Sequence, residues 1–146
     1  MPAVYPVEIV PVSYQGAYPN MAKRDEQVWR KFLSIHAARF TGYAYNVAMG
    51  GTRFTHPTAQ EADITAWQYK TALKIDVAAF APGEVWIIEV KPEAQVGALG
   101  AAVAYTLVAE REQIFDRPLK PAIVCEYVQP DVQWVAERLG VAIVVV

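Results

Sequence analysis

Lys74-Ile75-Asp76-Val77-Ala78-Ala79-Phe80 and Val85-Trp86-Ile87-Ile88-Glu89-Val90-Lys91 stand on either side of a Pro82-Gly83 pair. Both runs are rich in β-branched and aromatic residues and Pro-Gly suits a tight turn, so the spacing predicts an antiparallel β-hairpin. Any even-numbered loop centred on that pair places Asp76 opposite Glu89 and Lys74 opposite Lys91. Strand side chains alternate with period two, so all four share one face. Directly opposed residues hold their Cβ atoms only ~4.5–5.5 Å apart, where like charges repel. Two carboxylates so placed need a reason, and a divalent cation is the most economical one. Oxygen ligands from Asp76 and Glu89 suit Mg2+ or Mn2+, with water and a phosphate completing the shell. Lys91 points to the same side, where it can hold or help deprotonate a water attacking phosphorus, or stabilise developing charge. Metal-assisted phosphodiester hydrolysis requires such a set. The competing reading is a charged ladder in which Lys74 and Lys91 neutralise the two acids across a solvated face.

Downstream of the hairpin, Pro92 ends the second strand and a helix is expected from about Glu93 to Phe115. It is rich in small residues, including Gly97, Gly100, Ala101 and Ala104. Each Gly costs a helix about 1 kcal/mol relative to Ala, so close packing of this helix on a sheet is the expected compensation. Pro121 to Val128 reads as a strand, Asp131 to Leu139 as a helix with Gly140 behind it, and Val141 to Val146 as a last strand. The continuous apolar character of that run predicts a strand covered on both faces. Upstream, Asn20 is placed to cap a helix from about Met21 to Phe40, with Val28, Trp29, Phe32, Leu33, Ile35 and His36 at three- and four-residue spacing. Gly42 stops it, Tyr43 to Met49 forms a strand, Gly50-Gly51 and His56-Pro57 mark an irregular connection, and Gln60 to Thr71 reads as a short helix. The order describes an α/β domain, a mixed sheet with helices on both faces.

Residues 1–20 have a different character, with Pro2, Pro6, Pro11 and Pro19 set among Tyr5, Tyr14 and Tyr18. That composition disfavours helix and suits an extended arm or an edge strand. The arm can pack along its own domain or lie on a partner, either another copy or a different protein. The remainder, 21–146, reads as a single domain.

Composition excludes several classes. The 146 residues are 54% hydrophobic and 19% charged, which argues for a well-filled core and against general disorder. A net charge of -2 excludes a globally basic nucleic-acid coat. Residues 1–74 nevertheless hold eight Lys/Arg against five Asp/Glu, and the remainder five against ten. The first helix contributes Lys23, Arg24, Arg30, Lys31 and Arg39, a basic face of the kind that contacts phosphates, and equally an ordinary solvated helix face. Cys125 is the sole cysteine and lies in an apolar run, which fits a buried strand residue and a reducing compartment. No apolar stretch reaches the length of a membrane span and the N-terminus has no signal-peptide pattern, so neither membrane insertion nor secretion is expected.

Asp76, then Glu89-Val90-Lys91 across a tight hairpin, with a helix before and a helix after, resembles the core of the PD-(D/E)XK, or restriction-endonuclease-like, nuclease superfamily, over roughly Met21 to Val128. The resemblance implies that Asp76 and Glu89 bind Mg2+ or Mn2+, that Lys91 serves the attacking water, and that DNA is the substrate. Many members add a glutamate from the first helix, which maps onto Glu26, with Asp25 as the neighbouring acid able to take its place. A glutamine near the start of the helix after the lysine maps onto Gln95, although the accompanying tyrosine pattern is not matched. Lys74 would support the site, and Lys23, Arg24, Arg30 and Lys31 would contact the nucleic acid. Ile75 stands where some members have proline, and no separate DNA-reading appendage is evident. The chain also resembles small nuclease-like proteins of bacteriophages and prophages, which implies the host cytoplasm as its location. The alternative is a non-catalytic assembly protein on the same scaffold, such as a phage head-completion or neck component held in the virion through the arm.

Overall fold

A computed structural model describes residues 5–146, so the Met1-Pro2-Ala3-Val4 start of the arm lies outside the described residues. The expected hairpin is present: β3 (Leu73–Phe80) and β4 (Val85–Val90) run antiparallel, with Phe80 opposite Val85 and Val77 opposite Ile88. Between them Ala81 N–H donates to the Glu84 carbonyl, closing a four-residue connection around Pro82-Gly83. Around this hairpin a mixed six-stranded sheet forms in the order β1-β2-β3-β4-β6-β8, from β1 (Val10–Pro11), β2 (Gly42–Met49), β6 (Leu119–Cys125) and β8 (Ala142–Val145). The β4–β6 and β6–β8 pairs are parallel and the others antiparallel. A separate two-stranded ladder pairs β5 (Glu93–Ala94) with β7 (Tyr127–Val128).

Helices cover both faces. On one face α1 (Lys23–His36) lays Val28, Trp29 and Phe32 against the sheet, where Trp29 stacks on Phe32 and donates its indole N–H to the Tyr45 hydroxyl. On the other, α3 (Val96–Arg111) and α4 (Pro130–Leu139) bury Ala98, Leu99, Ala102, Val132 and Ala136 over Ile123 and Cys125. Burial raises the Cys125 thiol to about 11, as expected of an inert core cysteine. The short helix α2 (Glu61–Thr71) is peripheral and buries Ile64.

Several expectations are corrected. Asn20 does not cap the first helix: Ala22 stands at that position, while Asn20 adopts a left-handed φ of 62° and donates its side-chain amide to Asn46. The glycines of α3 do not face the sheet; alanines do, and Gly97 and Gly100 look outward into open space. The last strand meets a core cluster on each face, Ala142 and Val144 on the α1 side and Ile143 on the side of α3 and α4, but as the edge of the sheet it is only partly buried. The described part of the arm lies on its own domain. Val10 pairs with Tyr43, Tyr18 is buried with α1 and Tyr45, and the Tyr5 hydroxyl donates to the Gly50 carbonyl.

Two backbone positions control how β2 leaves the sheet. The inside-outside alternation of β2 slips at Asn46, where φ is 52°, so Tyr43 and Tyr45 face α1 while Val47 and Met49 join the cluster under α3. Gly51, at φ 97°, turns the chain towards α2 so tightly that a Cβ would collide with the Gln68 carbonyl. Gly51→Ala should therefore lower stability by about 1–3 kcal/mol, read as a reduced urea midpoint with an unchanged slope.

Candidate functional site

The two central strands separate just past the Val77–Ile88 pair, and the site forms where they part. Asp76 replaces the lost backbone pairing with its side chain: the Val90 amide donates to Asp76 Oδ2 at 3.0 Å. Glu89 follows Ile88 on the facing strand and is 8% exposed, one of two buried polar side chains among the described residues. Lys91 extends beyond the strand, held by its own amide to the Val124 carbonyl, and brings its Nζ to 4.0 Å from Glu89 Oε1. The same ammonium lies 3.9 Å from Asp25 Oδ2, so α1 reaches the site through its first turn.

The electrostatics follow from crowding acids in a poorly solvated place. Burial, and then the charge of Asp76, pushes the Glu89 carboxyl up to about 8, with Lys91 opposing the shift. Asp76 is raised as well, again by burial first, while the Val90 amide and Lys91 work against it. The Asp76 charge thus disfavours ionisation of Glu89, and Lys91 works against both shifts. Tyr105, from the middle of α3, joins the site: burial raises its hydroxyl, and the charges of Glu89 and Asp76 raise it further.

The structure brings together Asp76, Glu89 and Lys91, and sets apart several residues expected beside them. Glu26 turns to Arg30 at 3.6 Å, an i,i+4 pair on the helix surface, and its neighbour Asp25 takes the place expected for it. The reason is helical phase: one residue is about 100° of rotation, enough to move a carboxylate from the sheet edge to solvent. Lys74 pairs with Ala48 in β2, and its ammonium donates to the Tyr69 and Ala72 carbonyls at the end of α2, away from the carboxylates. Gln95 bonds Glu93 on the surface. Of the basic residues, Arg30 is used on Glu26, Gly16 and the Tyr18 ring, and Lys31 on Glu126. Lys23 and Arg24 form no ion pair among the described residues and sit in the first turn of α1, next to Asp25. Tyr105 was not singled out by sequence; its one signal is that it is the sole aromatic between Val96 and Ala109.

The donor set is compatible with a hard divalent cation. Among the described residues no three His, Cys, Asp or Glu side chains converge as a ready cage. Mg2+, however, is commonly held by one or two carboxylates with water and phosphate in the remaining places. A pair of buried carboxylates that repel each other is relieved by such an ion. Among the described residues no helix is long and apolar enough to cross a membrane.

No family model and no curated protein matches the chain. A crystal structure of a protein of unknown function, AF1548, is similar in fold, with a TM-score of 0.52 at 17% identity over 82% of this chain and 56% of that one. The chain thus spans about half the length of that protein, and the likeness is one of α/β architecture.

Proposed function

We propose that this protein is a metal-dependent nuclease of the PD-(D/E)XK type, hydrolysing DNA phosphodiesters at Asp76, Glu89 and Lys91. The observation that carries the reading is the pair of buried acids, Asp76 and Glu89, at the parting of β3 and β4 with the Lys91 ammonium 4.0 Å from Glu89. Two like charges in a buried position do not serve stability, because neutral groups of similar size fill the same space without the repulsion. The restriction-endonuclease-like form of the α/β fold is part of the same proposal, supported by the hairpin, by α1 and α3 on opposite faces, and by an acid from α1 at the site.

When bound, Mg2+ or Mn2+ would polarise a phosphoryl oxygen and make water more acidic. Asp76 and Glu89 would hold it, and Asp76 is fixed for that role by the Val90 amide. Lys91 would orient the attacking water or steady negative charge on the phosphate, and Asp25 keeps its ammonium pointed at Glu89. Lys23 and Arg24 are placed to contact the nucleic-acid backbone beside the site. The described part of the arm, packed on its own domain, fits an enzyme better than an assembly protein that extends the arm onto a neighbour.

The test is incubation with supercoiled plasmid and with linear duplex at low salt, in Mg2+, Mn2+ or EDTA, with an Asp76→Ala/Glu89→Ala variant alongside. Metal-dependent nicking that the variant lacks supports the reading. Folded protein that neither cuts nor gains thermal stability from the metal overturns it. Within this reading Asp25→Asn should lower the cleavage rate about tenfold, since it releases Lys91, whereas Glu26→Gln should leave it within about twofold. Equal losses in single-turnover rates would show that the wrong acid has been assigned.

A further inference from the structure

Asn46 is out of character for its place. Asparagine is poorly suited to strands, yet it stands in the middle of β2 with a left-handed φ of 52°. Among the described residues two other non-glycine positions share that conformation, Asn20 at 62° and Gln113 at 52°. Gln113 follows the end of α3, where a left-handed residue is an ordinary way to stop a helix. Asn20 is the third residue of a turn in which the Met21 amide donates to the Tyr18 carbonyl, with Pro19 before it. Asn46 has neither a turn nor a helix end to account for it, and its side chain is held: the Asn20 amide donates to Asn46 Oδ1 at 2.9 Å. The slip it causes in β2 is matched on β3. Tyr45 pairs with Val77 and Val47 with Ile75, so Asn46 and Asp76 stand on one rung. Before that rung Tyr45 and Val77 face α1, and beyond it Val47 and Ile75 face α3. Both strands therefore turn over together without losing register.

We propose that Asn46 is a positioning residue: its left-handed backbone, latched by the Asn20 amide, turns this rung over and delivers the Asp76 carboxylate to the parting of β3 and β4. The inference takes from the proposed function only that Asp76 belongs to the site. Unbroken alternation would stand Asp76 upright on the α3 face, beside Ala78. Turned at the rung, it reaches the seam between the strands, where Oδ2 accepts the Val90 amide in place of a ladder bond. Re-aiming a side chain next to a reacting centre is a recurrent use of a strand irregularity. The latch also joins the two elements that supply the acids. Asn20 lies five residues before Asp25, in the chain entering α1, and Asp25 reaches Lys91 from the first turn of that helix. Asparagine suits the post because it enters the left-handed region more readily than most residues and still offers an oxygen to the latch. Glycine supplies the first property without the second, and alanine supplies neither.

Amide hydrogen exchange in the metal-free full chain reads the placement of Asp76 through two neighbouring groups. Val90 donates to the Asp76 carboxylate, and Lys91 donates to the Val124 carbonyl, which the proposal leaves alone. Asn46→Ala should speed exchange at Val90 at least about tenfold relative to Lys91, whereas a general loss of stability speeds both alike. Asn46→Gly should keep that ratio within about threefold of the parent's, since its backbone is free to stay left-handed. In Mn2+ titrations followed by thermal unfolding, Asn46→Ala should bind about tenfold more weakly than the parent and Asn46→Gly within about threefold of it. A ratio that Asn46→Ala leaves unchanged overturns the proposal, and so does an Asn46→Gly protein that loses as much as Asn46→Ala. Exchange needs neither metal nor DNA. A chain that binds no Mn2+ and cuts nothing therefore overturns the nuclease reading, while the Val90 ratio still decides this one.

Discussion

Replacing Lys91 with alanine is expected to reduce plasmid cleavage by at least about 100-fold while leaving divalent-ion binding in place, since losing one preorganised charge at a reacting centre typically costs about 3 kcal/mol of barrier. Lys91 is 44% exposed along its side chain and fills no part of the core, so its removal does not threaten the fold. It is also a counter-charge to Glu89 and Asp25, and its loss leaves the acids more strongly in need of a cation. The metal-induced rise in melting temperature should therefore persist or grow in Lys91→Ala. In Asp76→Ala/Glu89→Ala, both cleavage and that rise should vanish. The two readouts separate a residue that serves the water from residues that hold the ion. A Lys91→Ala protein that cuts like the parent removes the lysine from the mechanism.

Protons and metal should compete for Glu89. With its carboxyl pushed from 4.5 to about 8 in the folded protein, the folded state retains a proton over that range that the unfolded chain has already lost. The metal-free protein is then most favoured by this group below its ordinary pKa, loses stability as pH rises through that window, and loses no more above about 8. Metal capture requires the ionised form, so apparent affinity should rise nearly tenfold per pH unit well below the folded pKa, or roughly 50-fold between pH 6 and 8, and level off beyond it. Titrating Mn2+ against thermal unfolding at several pH values measures this directly. Glu89→Gln should flatten the metal-free stability profile. A metal shift of equal size at pH 6 and pH 8 would mean that Glu89 is ionised throughout and that the site is wetter than its burial indicates.

The hairpin was legible because a Pro-Gly turn and two apolar runs admit one register, and that register alone brought Asp76 to Glu89. The helix end at Gly140 was legible for the same local reason, in that a single residue of strong conformational preference marks it. What escaped is everything set by rotation about a helix axis. Choosing Glu26 over Asp25 and expecting Gly97 and Gly100 to face the sheet are both errors of helical phase, which an apolar stripe fixes only when the helix is clearly two-faced. In α3, apolar throughout, no stripe exists to read. Lys74 escaped for another reason: the alternation of β3 slips at Asp76, with Ile75 in the cluster under α3 and Val77 in that under α1, and four methylenes carry the lysine charge to the Tyr69 carbonyl. Tyr105 reached the site through the diagonal course of α3 across the sheet, which no local pattern encodes.

The hydrogen bond from the Val90 amide to Asp76 turns a backbone group into an observer of the chemistry beside it. Most amides in a central strand report only that the sheet is intact, because their acceptors are carbonyls that never change charge. Val90 donates to a carboxylate that can gain or lose a proton and, in the proposed function, would share its lone pairs with a cation, so its amide resonance should move with each of those events. One cross-peak in a nitrogen-correlated NMR spectrum thereby becomes a spectator of ionisation and ion capture in the unmodified protein, without substrate and without turnover.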